Sequence, residues 1–144
     1  MITKDTINEI REEIAAKIEA DGNTEVIGVV YAFPKSTLSK YPGVVVMPSE
    51  NLADYSSTGD DRMTFGFNLN VYYPIKKETE YQAAETAIGE AVAELIRLFT
   101  PRNALATCDW VDPVPSVWGE ATVGEAVFRT AQVTLRCVKY LPNR

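Results

Sequence analysis

The stretch Met63–Pro74, MTFGFNLNVYYP, decides the fold. Its odd positions carry Met63, Phe65, Phe67, Leu69, Val71 and Tyr73, and its even positions Thr64, Gly66, Asn68, Asn70 and Tyr72. Side chains alternate across a strand, so the pattern predicts a β-strand with one apolar and one polar face. The apolar face needs a covering layer. The polar face looks at water or at a neighbour.

The cover is found at both sides of this strand in sequence. Ile7, Ile10, Ile14 and Ile18 recur at spacings of three and four, which predicts a helix from about Asp5 to Ala20. Thr6 and Glu9 have capping-box spacing, with Thr3 as a competing N-cap. Glu13 and Lys17 are placed to pair one turn apart, and Gly22 suits a left-handed helix cap. A second helix is predicted from about Glu78 to Phe99. Its apolar stripe is Ala84, Ala87, Ile88, Ala91, Val92, Leu95, Ile96 and Phe99, and Pro101 follows its end.

Further strands are predicted at 25–33, at 44–47 and at 127–141, with a possible one at 106–111. Residues 48–61 read as a long polar connection with four acidic residues and no basic one. Gly119 and Gly124 read as a turn. The order α-β-β-β-α-(β)-β does not alternate regularly. It predicts one α+β domain over residues 1–144: a mostly antiparallel sheet with two main helices packed on one face.

Composition narrows the function. The 144 residues suffice for a single core, and 46% hydrophobic with 24% charged residues is ordinary for a globular chain. No apolar run is long enough to cross a bilayer. The N-terminal MITKDTINEIREEIAAKIEA is charged and amphipathic, unlike a signal peptide, so synthesis and use in a cytoplasm are expected, with no membrane partner. A net charge of −6 argues against gripping a nucleic-acid backbone.

The chain has no histidine, which removes the commonest general base and metal ligand. Cys108 and Cys137 form no CxxC pair, so two reduced, partly buried thiols are expected rather than zinc ligands. A nucleophilic Cys108 would lack its usual basic partner. Asp109 and Asp112 flank Trp110-Val111 and offer oxygen ligands, but without the spacing of a calcium loop. GxSxG, GxxxxGK[ST] and GxGxxG patterns are all missing. The expectation is a protein that is not an enzyme, with no catalytic residue, cofactor or metal. Surfaces remain. Tyr55, Trp110 and Trp118 fall in the predicted connections, where aromatic residues suit protein contacts. Asp60 and Asp61 sit in the acidic segment. Asn68 and Asn70 put uncharged polar groups on a strand, where Asn is uncommon. These seven residues are the candidate interface.

The layout carries a family resemblance. An amphipathic helix leads to a strand ending in Phe33-Pro34, then to Pro42-Gly-Val-Val-Val-Met-Pro48 and the long strand ending in Tyr72-Tyr-Pro74. An Ala- and Glu-rich helix, a Trp-containing connection and a final long strand follow. This resembles the tail-terminator (tail-completion, head–tail joining) proteins of long-tailed bacteriophages, in element order and texture over nearly the whole chain. The resemblance implies an α+β subunit of the virion neck, assembled in a bacterial cytoplasm. Six copies would close into a ring on the tail tube, end tube growth and meet a head-proximal neck protein. DNA would pass through the channel without specific binding. Two other readings stay open. One is a different neck component, such as a head-completion or stopper protein. The other is a small ligand-binding α+β domain with a pocket lined by Tyr31, Tyr72, Tyr73 or Trp118.

Overall fold

In the computed structural model the described residues are 3–34, 38–56, 62–76, 80–123 and 126–140. The elements run α1 (Thr6–Asp21), β1 (Val29–Tyr31), β2 (Gly43–Ser56), β3 (Arg62–Ile75), α2 (Tyr81–Phe99), β4 (Trp110–Val123) and β5 (Ala126–Tyr140). Among the described residues, five strands form one sheet in the order β1-β2-β3-β5-β4, and only the short β1–β2 pair is parallel. The fold is α+β, with both helices on one face of a mostly antiparallel sheet.

The alternation in β3 builds that face. Met63, Phe65, Phe67, Leu69 and Val71 are buried, and Ala131, Val133, Leu135 and Cys137 of β5 stand beside them. Val44 and Val46 extend the layer through β2. Against it lie Ile10, Ile14 and Ile18 of α1 and Ala84, Ile88, Ala91, Leu95 and Phe99 of α2. Truncating a fully buried ring such as Phe67 costs about 3–5 kcal/mol in cores of this kind.

Several sequence expectations are corrected. The strand expected over 25–33 shrinks to three residues, because the chain turns at Asn23, whose side chain accepts the Glu25 N–H at 2.9 Å. The polar connection expected from 48 is strand instead: β2 continues through Pro48 to Ser56, with a register shift between Pro48 and Ala53. The shift absorbs the extra residues against an uninterrupted β3. β3 passes through Pro74 to Ile75. The expected turn at Gly119 lies inside β4, and Gly124 falls outside the described residues.

Local details at α1 also differ. Thr6 is the first helical residue rather than the cap, and the Thr3 hydroxyl accepts the Asp5 N–H at 3.2 Å. Lys17 pairs with Asp21 at 2.7 Å, not with Glu13. Gly22 is extended, with φ −71° and ψ 149°, rather than left-handed. Glycine is needed there for close approach: an added Cβ would stand 2.4 Å from the Ile18 carbonyl oxygen.

Candidate functional site

Register places the second sheet face in rows across the strands. One row is Gly43, Tyr72, Thr130 and Gly119. The next is Tyr31, Val45, Asn70 and Gln132. Then come Met47, Asn68, Thr134 and Val114, followed by Gly66, Arg136 and Asp112. The central row is held by a cross-strand bond in which the Thr134 hydroxyl donates to Asn68 Oδ1 at 2.9 Å. Asn68 and Asn70 are thus adjacent on the polar face and half-buried. Among described residues, no helix lies on this side of the sheet.

One end of the face is covered by the chain itself, which the sequence reading did not anticipate. The connection from β1 to β2 crosses it. Ser39 donates its N–H to the Tyr31 hydroxyl at 3.2 Å. Leu38 lies over Gly43, where an added Cβ would come within 2.6 Å of Leu38 Cδ1. The Tyr41 ring sits 5.9 Å from Phe128, and Tyr72 meets Phe128 edge-on at 6.3 Å. Burial pushes the Tyr72 phenol up from its ordinary value. Phe128, an aromatic at an even position of β5, is the sequence signal for this cluster.

Both tryptophans lie in β4: Trp118 is corrected from a connection to strand, and the possible strand at 106–111 begins only at Trp110. Trp110 opens β4 opposite Val138, on the polar-face side, with the Arg102 guanidinium 5.8 Å from its ring. Trp118 pairs with Ala131, on the helix side. The two would share a face if β4 were regular. A register shift between Pro115 and Trp118 reverses the alternation and separates them. Trp118 packs by Gly89 of α2 and lies 5.6 Å from the Arg129 guanidinium. Arg129 Nε is 2.6 Å from Glu85 Oε1, an ion pair in which the N–H points off the contact line.

Among the described residues β4 has no outer partner, and the first part of its edge is guarded. The Val111 N–H points away from β5 and is taken by the Arg102 carbonyl at 3.0 Å. Alternate residues point their N–H groups the same way. Pro113 and Pro115 therefore fill the next two outward positions, and neither has an N–H to offer. A stretch of edge without outward donors is a poor template for indiscriminate pairing, and this one covers β4 from Val111 to Pro115.

Of the remaining candidates, Tyr55 is a β2 residue opposite Met63 rather than part of a connection, and its side chain lies outside the described part. Asp60 and Asp61 lie outside the described residues. The Asp109 carboxylate accepts the Tyr140 N–H, and among described residues no three cysteines or carboxylates gather to hold a metal ion. Tyr31, Tyr72, Tyr73 and Trp118 do not converge on a pocket. The first two face away from the helices, and Tyr73 and Trp118 face toward them. A cleft of about 160 Å³ lies elsewhere, between Ile18 and Gly22 of the α1 end and Ile27–Val30. That is below the ~300 Å³ at which small-molecule sites usually begin.

Among described residues, no helix is long and apolar enough to cross a membrane. No family model matches the chain, and no curated protein matches it. Among the solved structures that match, one is 19% identical over 99% of this chain and 100% of its own, with a TM-score of 0.45.

Proposed function

We propose that the protein is a structural subunit of a phage neck, a tail terminator that assembles as a ring through its polar sheet face. The observation that carries this reading is the uncharged strip Asn68, Asn70 and Thr134, flanked by Met47 and Val114. Amide and hydroxyl groups among apolar ones can be desolvated by a complementary surface at low cost, provided each finds a hydrogen bond. Charged rows cannot. Both helices are spent on the other face, which leaves the strip for a partner. The resemblance to tail terminators supplies the partner: a second copy, then the tube and a neck protein. Head-to-tail contacts between unlike patches close into a ring when the rotation per subunit fits.

The test is light scattering behind a sizing column, alone and with tail tubes added, with negative-stain images of the largest species. Closed rings near six times 15.9 kDa support the reading. In Asn68→Lys/Asn70→Lys the folded monomer should persist and the rings should vanish. A compact two-fold dimer at every concentration, indifferent to tubes, would sink it.

A further inference from the structure

We propose that Cys108 and Cys137 form a site of reversible oxidation, closing a disulfide when the folded protein meets a hydroperoxide. The proposal is independent of the ring. Both thiols are free and buried, one in the connection after α2 and the other near the end of β5. They are brought together by the start of β4. Asp109 donates its N–H to the Val138 carbonyl at 2.8 Å, and Val111 stands opposite Cys137. That sets Cys108 near Cys137 in the same buried cluster, and each thiol shifts the other's titration. The Thr107 hydroxyl is 3.7 Å from Cys108 Sγ.

The two sulfurs are not equivalent. Hydrogen bonds from Cys137 and Thr107 hold the Cys108 thiol below its ordinary value against the opposing effect of burial. Lys139 adds to the lowering and Glu13 opposes it. Its bond to Cys108 and its burial push the Cys137 thiol well up. Cys108 is 7% exposed and Cys137 fully enclosed. Cys108 is therefore the sulfur that a small oxidant reaches as thiolate. It attacks one peroxide oxygen, the O–O bond breaks, and hydroxide leaves with the thiol's former proton as water. The Cys108 sulfenic acid is then attacked by Cys137. The S–O bond breaks, the S–S bond forms, and the Cys137 proton leaves with the hydroxyl as a second water. Two thiols lose two electrons and one peroxide gains them. Cys108 lies in the connection before β4 rather than in a ladder, so closing the S–S bond breaks no strand pairing.

The reduced protein is treated with hydrogen peroxide under native conditions, quenched with catalase, denatured and alkylated with iodoacetamide. The expected product is a monomer lighter by two hydrogens that takes up no alkyl group. Its melting temperature rises by roughly 5–10 °C, from closure of a loop of about 30 residues, and dithiothreitol reverses the rise. In Cys137→Ser the same treatment should carry Cys108 on to the sulfinic acid. If that variant misfolds, the wild-type mass decides alone. Added oxygens on Cys108 with Cys137 still alkylated would overturn the proposal. So would a covalent dimer, or two alkylated cysteines at peroxide levels that oxidise free cysteine.

Discussion

Glu13 holds the connection between α2 and β4 against α1, and Glu13→Ala should measure that hold. Its carboxylate accepts the Ala106 N–H at 2.9 Å, the Thr107 N–H at 2.9 Å and the Thr107 hydroxyl at 2.6 Å. A hydrogen bond to a charged group contributes about 1.5–3 kcal/mol when enclosed and less when water can replace it. Ala106 is exposed, so its N–H finds water in the variant and counts for little. Thr107 is half-buried, and its two donors are the ones left wanting. The expected loss is about 2 kcal/mol, or a fall in melting temperature of roughly 4–8 °C. Urea unfolding should show a lower midpoint with an unchanged slope, since the same surface is exposed on unfolding. Glu13→Gln keeps one acceptor oxygen and should lose about half as much. A double-mutant cycle with Thr107→Val isolates the side-chain bond and should return a coupling of about 1 kcal/mol. If Glu13→Ala stays within about 0.5 kcal/mol of the parent, or the cycle is additive, the carboxylate does not hold the connection.

Three other perturbations follow from the geometry. Pro113→Ala/Pro115→Ala restores two outward N–H groups to the β4 edge, so aggregation on storage should increase, read by light scattering, with the urea midpoint little changed. An unchanged aggregation rate would mean the edge is guarded by something else. Gly22→Ala drives a Cβ into the Ile18 carbonyl oxygen and should cost about 1–3 kcal/mol. Gly43→Ala meets chiefly the flexible end of Leu38 and should cost less; the reverse order in urea unfolding would refute the comparison. The Arg97 hydrogen bond, helped by the Asn23 N–H, holds the Glu94 carboxyl below its ordinary value of 4.5 against the effect of burial. A folded value depressed this way adds stability above the unfolded value, and that stability is lost as pH falls through the folded one. Glu94→Gln should therefore be less stable than the parent at neutral pH and lose less between about pH 5 and about pH 3. Parallel curves would remove Glu94 from the acid response.

What the sequence made legible is what a two-residue or 3.6-residue period can carry. The buried positions of β3, the isoleucine stripe of α1 and most of the α2 stripe follow from side-chain direction alone. The same rule puts Asn68 and Asn70 on the polar face. The prolines misled. A proline usually ends a strand because it gives up a ladder bond, yet Pro48, Pro113 and Pro115 all sit inside strands. β2 is paired with β1 only at Gly43–Val45, and β4 has no outer partner among described residues. At such positions the missing N–H costs no ladder bond. Whether a strand is an edge is a property of the sheet and cannot be read from the strand.

The same distinction explains which site features stayed hidden. Glu13 looked like half of a helical pair with Lys17, because spacing along a helix is local. Its real partners are Ala106 and Thr107, more than ninety positions away. The Cys108–Cys137 contact depends on where β4 enters the sheet, and neither residue's neighbours in sequence specify that. The tryptophans are the sharpest case. Trp110 and Trp118 are an even number of residues apart, so period alone puts them on one face of β4. The register shift after Pro115 puts them on opposite faces. That separates their possible roles. A partner on the polar face can reach the neighbourhood of Trp110, whereas Trp118 shares its side with α2, Arg129 and Glu85. Replacing each by alanine in an assembly assay therefore tests two different surfaces. The polar-face reading requires the Trp110→Ala effect on assembly to exceed that of Trp118→Ala.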